Sequence, residues 1–285
     1  MKKRELLVPV VTPFRADESV NYGELKRLVR KVLNEGADGI YVCGGSSEFV
    51  LLTHEERKEI LETVISAADG AYVAAHVGAA STAEAAALAR HAKKAGADCI
   101  ASVPPYWYKY SFVELCGYFT ALADAGLPVM VYNIPASSKV SFTQEEFCAL
   151  FRDERIFGMK FTDTNYYQME RIKAKTGVYV YSGADECYLS ALAAGADGAI
   201  GTTFNFMLKK YIDIRDAFRK GENERALRVM ASANNVTETI IARCLPCTKY
   251  VLTLQGIDAG ECRGPFAPVT EEEKRAIRTA FENNL

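Results

Sequence analysis

Gly36-Ala37-Asp38-Gly39-Ile40 is the segment that decides the fold, because it recurs as Gly96-Ala97-Asp98-Cys99-Ile100 and as Gly195-Ala196-Asp197-Gly198-Ala199. Each copy follows a stretch with apolar residues at helical spacing and precedes a short apolar run. A glycine in this place can take the left-handed conformation that ends a helix, and the next residues then turn the chain into a strand. The repeated segment therefore marks joints between a helix and the strand that follows it.

Helix starts are marked just as regularly. Five times a Ser or Thr is followed three residues later by Glu, which is the pattern of a reciprocal capping box; the pairs are Thr53/Glu56, Ser81/Glu84, Ser111/Glu114, Thr143/Glu146 and Thr270/Glu273. Between starts and joints, strands are predicted near residues 6–10, 39–42, 72–76, 99–102, 128–132, 156–160, 178–182 and 199–201. Helices are predicted near residues 22–33, 55–67, 83–94, 112–124, 144–151, 166–175, 186–193 and 207–219.

Eight strands that alternate with eight helices indicate a parallel sheet, and at this length the sheet should close into a (β/α)8 TIM barrel. The barrel should span residues 1–221. Further helices are expected at about 223–243, around 250–252 and at 271–283. No linker separates them from the barrel, so residues 222–285 should pack on it and form one structural unit with it.

Composition excludes several classes of function. The 285 residues are 49% hydrophobic and 25% charged, with a formal charge of -2 and no basic cluster, so no nucleic-acid partner is expected. No apolar run approaches the length of a membrane span. Eight cysteines lie mostly in apolar segments, which favours free thiols and a cytoplasmic protein. Cys244 and Cys247 form a C-x-x-C pair without a second pair or histidine cluster, so no metal or redox role is predicted.

Lys160 lies near the end of the predicted sixth strand, Ile156-Phe157-Gly158-Met159-Lys160. In a TIM barrel the reacting groups stand at this end of the strands. Two interpretations are open: a lysine that pairs with a carboxylate or reaches the surface, and a desolvated amine that attacks a carbonyl as a Schiff-base nucleophile. Burial disfavours the charged form of an amine and so favours the second chemistry.

Tyr132 ends the fifth strand, and residue alternation can point it inward together with Lys160. A phenol beside an amine can move protons during imine formation and carbon–carbon cleavage, or it can simply cap the barrel. The second strand ends in Gly44-Gly45-Ser46-Ser47-Glu48. This loop is either a flexible turn or a cradle of hydroxyl and N–H groups for a carboxylate.

Strands seven and eight also end in polar residues. Asp185 and Glu186 follow strand seven, where they either cap a helix or accept hydrogen bonds from a polyhydroxylated substrate. Thr202 and Thr203 follow strand eight, where they form a turn or a wall of a binding site. Local sequence leaves these alternatives open.

Taken together, six segments resemble the pyruvate-dependent class I aldolase family of N-acetylneuraminate lyase and dihydrodipicolinate synthase. They are Pro9-Val-Val-Thr-Pro-Phe14, Gly44-Gly-Ser-Ser-Glu48, Tyr132-Asn-Ile-Pro135, Gly158-Met-Lys-Phe-Thr162, Ser182-Gly183 and Arg263-Gly-Pro-Phe-Ala-Pro268. The resemblance covers nearly the whole chain. It implies Lys160 as the Schiff-base lysine, Tyr132 as the proton-transfer residue, no cofactor and no metal.

The resemblance is closest to the sialic acid lyases. Dihydrodipicolinate synthases usually carry an Arg where this chain has Ser137. By analogy with the lyases, the sugar portion would be bound by Thr162, Gly183, Asp185, Glu186 and Thr202. The substrate carboxylate would be bound in the strand-two loop, where the family commonly has two neighbouring hydroxyl residues. Alignment on Glu48 puts Gly45 and Ser46 at those two positions, whereas a slip of one residue would put Ser46 and Ser47 there.

Trp107 departs from the family pattern, because it stands where relatives often have a Tyr that reaches a neighbouring subunit; Tyr106 or Tyr108 could take over that role. The resemblance implies a homotetramer with this segment at a subunit contact. Three functions follow as hypotheses: an N-acetylneuraminate lyase, an aldolase for another 2-keto-3-deoxy sugar acid or a dihydrodipicolinate synthase, and a non-catalytic sugar-acid sensor that retains the pocket.

Overall fold

Eight parallel strands close into a barrel in the computed structural model, which describes residues 4–284. Within that range the strands are β1 (Leu6–Pro9), β2 (Gly39–Val42), β3 (Tyr72–His76), β4 (Cys99–Ser102), β5 (Val129–Asn133), β6 (Ile156–Phe161), β7 (Tyr179–Ser182) and β8 (Gly198–Ile200). They follow one another around the barrel in chain order, and β1 pairs with β8. The predicted (β/α)8 TIM barrel is confirmed.

The α-helices of the described residues surround the barrel and continue past it. They are α1 (Tyr22–Asn34), α2 (His54–Ala68), α3 (Thr82–Ala95), α4 (Phe112–Ala123), α5 (Pro135–Ser138), α6 (Gln144–Leu150), α7 (Tyr166–Thr176), α8 (Tyr188–Ala193), α9 (Phe204–Arg219), α10 (Asn223–Ile240), α11 (Cys244–Leu254) and α12 (Glu271–Asn284). None of them is both long and apolar enough to cross a membrane.

Several predicted boundaries were wrong. The helix predicted at 186–193 is a 3-10 turn at Asp185–Cys187 that leads into α8, and α9 begins at Phe204 rather than at residue 207. The backbone leaves helical geometry at Met207, which explains why the first turn of α9 escaped the periodic pattern. The short helix α5 was not predicted; it begins with Pro135, whose fixed φ suits the first helical position.

The repeated joints have the predicted geometry. Gly36, Gly96 and Gly195 have φ values of +104°, +98° and +92°, which only glycine adopts at little cost. The aspartate of each joint also has a role that the sequence did not reveal. Asp38 accepts a hydrogen bond from Leu6 N at 3.0 Å, and each of the other two accepts one at 2.8 Å from the strand next to its own, Asp98 from Val73 N and Asp197 from Val180 N.

Four of the five predicted capping boxes form, at Thr53, Ser111, Thr143 and Thr270. The fifth does not close as predicted. At Ser81 the Glu84 carboxylate accepts from the serine hydroxyl at 3.0 Å instead of from the serine backbone N–H.

The buried apolar side chains of residues 4–284 form two cores. The larger lies between the strands and the helices. The smaller fills the barrel itself and is rich in aromatic side chains; its buried members are Leu7, Tyr41, Tyr72, Ala74, Cys99, Ala101, Val103, Met130, Tyr132, Tyr181 and Ile200. Beyond the barrel, α10 packs against α9 and α12, and α11 packs against α9 and α12. A filled barrel leaves its open ends as the places for chemistry.

Candidate active site

Lys160 and Tyr132 stand side by side inside the mouth of the barrel. In the sheet Lys160 is paired with Tyr132 of β5 on one side and with Tyr181 of β7 on the other. Lys160 and Tyr132 are each only 5% exposed. The lysine Nζ lies 4.3 Å from the centroid of the Tyr132 ring and 5.3 Å from that of Tyr41. The amine is therefore packed against two aromatic rings.

No carboxylate of residues 4–284 forms an ion pair with Lys160, and the side chain does not reach the surface. Rings stabilise a lysine less than a bonded carboxylate does, because the attraction to a ring quadrupole is weak. The amine thus remains available to a ligand at the mouth of the barrel.

Gly183 forms the wall behind Lys160. Its backbone N–H donates to Phe161 O at 2.8 Å, which draws the end of β7 against β6. A Cβ on Gly183 would overlap with Thr162 Oγ1 and would lie 2.8 Å from Thr162 Cβ and 3.0 Å from Lys160 Cε. Glycine is required here because the two side chains occupy the space of any larger residue. Thr162 Oγ1 is itself buried without a hydrogen-bond partner in the structure.

The strand-two loop is folded into a 3-10 turn at Gly45–Ser47. Gly45 faces Tyr132, whose hydroxyl would lie 3.7 Å from a Cβ placed there. Ser46 Oγ is 2.7 Å from Thr202 Oγ1, so two hydroxyls meet at the mouth between strands two and eight. Ser47 turns inward: it is 1% exposed, and its hydroxyl donates to Val10 O at 2.6 Å. Of the two serines, only Ser46 presents its hydroxyl at the mouth.

Asp185 connects the ends of strands seven and eight. Its Oδ2 accepts from Thr203 N at 2.8 Å and from Thr203 Oγ1 at 2.5 Å. It therefore caps the strand-eight loop rather than its own helix, which neither sequence interpretation anticipated. Glu186 beside it is partly exposed, and burial, reinforced by the charge of Asp185, raises the pKa of its carboxyl. A raised pKa is what a hydrogen-bond donor or acid in a binding site needs.

Contacts link nearly all the predicted site residues around the barrel mouth. Gly45 adjoins Tyr132, Tyr132 adjoins Lys160, and Lys160 adjoins Gly183 and Thr162. The remaining contacts, described above, join strand two to strand eight and strand eight to strand seven. Ser47 stands apart because its hydroxyl points into the protein, and Glu186 is linked to the other site residues only through its neighbour Asp185.

His76 and Tyr41 belong to the same mouth and were missed from the sequence. His76 is 2% exposed; its Nδ1 lies 2.9 Å from Cys43 O, and Val103 N donates to its Nε2 at 3.3 Å. Burial lowers the pKa of His76 well below its usual value, so the ring is neutral and donates from Nδ1. Tyr41 could have been found, because alternation in β2 turns it inward next to Tyr132.

Arg57 is a buried cation near the same loop. It is 4% exposed, and it donates to His76 O at 2.8 Å and to Gly78 O at 2.9 Å rather than to a carboxylate. Its guanidinium also lies over the Phe49 ring, 5.4 Å from the centroid. These contacts hold the end of β3 in place beside the strand-two loop. No local pattern marks an arginine on α2 for this position.

A cleft of about 1020 Å³ opens from Gly45 and Tyr132 toward the solvent. Its walls are mostly aromatic and aliphatic, and they include Tyr106, Trp107 and Ser137. Trp107 is 89% exposed. The site can therefore receive a small molecule; Tyr132 lines the cleft, and the Lys160 amine is packed against the Tyr132 ring. Among the described residues, no three His, Cys, Asp or Glu side chains converge to hold a metal ion.

The chain is similar to known proteins over nearly its whole length. The Dihydrodipicolinate synthetase family matches residues 2–284. An N-acetylneuraminate lyase of Rhizobium meliloti is 38% identical over 98% of this chain and 95% of its own. One of an Enterobacter species is 37% identical over 94% of this chain and 92% of its own.

Solved structures with the same architecture include proteins named N-acetylneuraminate lyase, such as that of Fusobacterium nucleatum with a TM-score of 0.94, 28% identity and 99% coverage of both chains, and proteins named dihydrodipicolinate synthase. CdNal from Clostridium difficile, solved in complex with mannosamine, is similar with a TM-score of 0.97, 28% identity and full coverage of both chains. A dihydrodipicolinate synthase from Bacillus anthracis is similar with a TM-score of 0.95, 29% identity and 99% coverage of both chains. The fold is thus shared by proteins that are named for different reactions.

Proposed function

Because this chain belongs to the dihydrodipicolinate synthetase family, and its relatives make it a carbon–carbon lyase, we propose that it cleaves N-acetylneuraminate reversibly to N-acetylmannosamine and pyruvate. Lys160 is the proposed Schiff-base nucleophile and Tyr132 the proposed proton carrier. The observation that carries the proposal is a buried amine, free of any carboxylate among residues 4–284, whose Nζ lies 4.3 Å from the centre of a phenol ring. No cofactor enters the chemistry.

The reaction begins with imine formation. The neutral Lys160 amine adds to the C2 ketone of the open-chain sugar acid and forms a carbinolamine. Tyr132 gives its proton to the carbinolamine hydroxyl, which leaves as water, so that a protonated imine and a phenolate remain. An imine of this kind is an electron sink, which splits one difficult step into easier ones.

Cleavage follows from the same two side chains. The Tyr132 phenolate takes the proton of the C4 hydroxyl, the C3–C4 bond breaks, and its electron pair moves into the imine to give an enamine of pyruvate. N-acetylmannosamine leaves as the aldehyde. Tyr132 then returns the proton to C3, and water hydrolyses the resulting imine to pyruvate and free Lys160.

The rest of the mouth is proposed to bind the substrate. In the strand-two loop, Gly45 and Ser46 are proposed to hold the carboxylate, with Ser46 the hydroxyl that faces the mouth. Ser47 is proposed to support that loop from below, because its hydroxyl is bonded to Val10 O. The sugar hydroxyls are assigned to the opposite side of the mouth, to Thr162, Gly183, Asp185, Glu186 and Thr202.

A substrate panel tests the proposal. N-acetylneuraminate, 2-keto-3-deoxygluconate, and pyruvate with aspartate semialdehyde are each assayed for turnover. We expect turnover of N-acetylneuraminate and its loss in Lys160→Ala. Activity on another substrate without any on N-acetylneuraminate would contradict the choice of sugar acid, and binding without turnover or imine would make the protein a sensor.

A dihydrodipicolinate synthase is the second candidate, because a solved synthase shares the fold at 29% identity. Ser137 argues against it. The residue lines the cleft next to Tyr132, where a synthase of this family usually presents a cationic side chain to a second carboxylate. Ser137→Arg is therefore expected to lower activity on the sugar acid, and an increase in that activity would contradict this reasoning.

A homotetramer and a cytoplasmic location are proposed as well. The tetramer is supported by the exposed apolar residues beside the cleft, Trp107 at 89% and Tyr108 at 70%, which a partner subunit could cover. The location is supported by eight cysteines that are all free thiols. Light scattering at working concentration and cell fractionation test the two proposals, and a monomer or an exported protein would refute them.

A further inference from the structure

Glu48 and Lys249 form an ion pair that is sealed from solvent. Lys249 Nζ lies 2.7 Å from Glu48 Oε1, and the two side chains are 1% and 0% exposed. Glu48 closes the strand-two loop, whereas Lys249 lies on α11 in the C-terminal extension. The pair therefore joins the loop at the barrel mouth to a distant part of the chain.

The C-terminal extension holds the second oxygen of the same carboxylate. Arg263 N donates to Glu48 Oε2 at 2.9 Å. Lys249 is held in turn, because its Nζ donates to Glu261 O at 3.0 Å and lies 4.1 Å from the centroid of the Phe14 ring. Residues that follow the barrel thus contact both oxygens of Glu48, Oε1 through an ion pair and Oε2 through a hydrogen bond.

The loop adopts a conformation that needs such support. Glu48 has a φ of +60° and Cys43 a φ of +58°, in the left-handed region that residues other than glycine seldom occupy. At one end Cys43 O accepts the hydrogen bond from His76, and at the other the Glu48 side chain is bound by Lys249. Glu48 N donates to Gly45 O at 3.0 Å and completes the turn that presents Ser46.

A gain in folding stability does not by itself explain why this ion pair is buried. Two charges lose their hydration when they are buried, and well-packed apolar residues in their place are often as stable or more so. A sealed pair is better suited to fix one geometry, as buried polar groups do in some proteins. The geometry that it fixes here is that of the Gly45–Ser47 turn.

We propose that Lys249 is a positioning residue, which through Glu48 holds the strand-two turn in the shape that receives the carboxylate of the 2-oxo acid. This inference rests on the proposed function, because it assumes an imine at Lys160 and a carboxylate at the turn. It gives the C-terminal extension a part in substrate binding, although no residue of α11 has to touch the substrate.

The test separates carboxylate binding from imine formation. Protein is incubated with increasing pyruvate, or with acetone, a ketone that has no carboxylate, and the adducts are reduced with borohydride and counted by mass. The variant is Glu48→Gln with Lys249→Met, which removes both charges and leaves neither buried alone. Asp213→Asn with Arg225→Met is the control, because it removes a surface pair, whose atoms lie 2.6 Å apart, between α9 and α10.

The expected result is selective. The half-saturating concentration of pyruvate should rise about tenfold or more, which is comparable with the loss of affinity when a residue that orients a metal ligand is removed. Trapping of acetone should stay unchanged, and the control should match the wild type with both ketones. An unchanged half-saturation for pyruvate in a folded double variant, or an equal loss with both ketones, would overturn the proposal.

Two further outcomes are informative. If the double variant does not fold, Lys249→Arg is tested with the same two ketones, because it keeps the positive charge but moves the hydrogen-bond donors. It should show the same selective loss of pyruvate trapping. No loss, or an equal loss with both ketones, would overturn the proposal. If the wild type traps no pyruvate, the proposed function is wrong and this inference falls with it. Trapping in the wild type with no effect of the variants refutes the inference alone.

Discussion

Replacement of Gly183 by alanine is the sharpest perturbation that the structure offers. The backbone of Gly183 lies outside the left-handed region, so alanine is excluded by contact and not by its own φ. The new methyl group would overlap with Thr162 Oγ1 and would stand 2.8 Å from Thr162 Cβ and 3.0 Å from Lys160 Cε. One added carbon therefore pushes on both the proposed nucleophile and its neighbour.

The expected size follows from those distances. Carbon atoms pack at about 3.5–4.0 Å, so the Lys160 stem must move by roughly 0.5–1 Å. The Thr162 side chain must move farther, because its hydroxyl overlaps with the new methyl group. Overpacking of a buried site costs about 1–3 kcal/mol in the free energy of unfolding. A misplacement of about 1 Å at a reacting group can cost about 100-fold in rate, so we expect kcat/KM to fall by roughly 10–100-fold.

Gly117→Ala is the matched control. Gly117 lies on an exposed face of α4, and a Cβ there would meet nothing within 4 Å. This variant should be as stable as the wild type or more stable by about 0.5–1 kcal/mol, because alanine favours a helix. Urea unfolding and steady-state turnover of N-acetylneuraminate measure both effects. Wild-type kcat/KM in Gly183→Ala would refute the packing argument.

Three other predictions follow from the structure. Asp185→Ala should cost about 1–3 kcal/mol in urea unfolding, because Thr203 N–H loses its buried acceptor; an unchanged midpoint would contradict this. A hydrogen bond from Arg263 lowers the pKa of the Glu56 carboxyl from 4.5 to about 2. The ionised carboxylate therefore makes its full contribution to the free energy of unfolding above pH 4.5, and this contribution is lost as the pH falls toward 2. In urea unfolding, Glu56→Gln should therefore lose less stability than the wild type over that pH range. The difference should be modest because the pair is partly solvated, and an equal loss in the two proteins would contradict this. Trp107→Ser should shift light scattering toward smaller assemblies, whereas an unchanged mass would remove Trp107 from the contact.

The barrel could be read from the sequence because its determinants are local. The glycine joints, the capping boxes and the apolar spacing each act within a few residues, so the order of the strands and most element boundaries were predicted to within about one residue, apart from the starts of α8 and α9 and the missed helix α5. Errors occurred where the chain departs from regular periods, as at Met207, where the helix geometry breaks. The pairing of Tyr132 with Lys160 also followed from the alternation of two strands.

The missed features depend on contacts between distant residues. Glu48 and Lys249 meet only because the C-terminal helices fold back on the barrel, and no spacing in the sequence links them. The inward turn of Ser47 depends on its bond to Val10 O, which a Gly-Ser-rich loop does not reveal. The bond from Thr203 to Asp185 likewise joins two loops that sequence reasoning treated separately.

The central claim is that Lys160 is the one amine that forms an imine with a 2-oxo acid. The most direct test is to incubate the protein with pyruvate and borohydride and to locate the reduced adduct by peptide mass mapping. We predict one adduct, on the peptide that contains Lys160, and none in Lys160→Ala. An adduct on another lysine, or undiminished trapping in Lys160→Ala, would contradict the account.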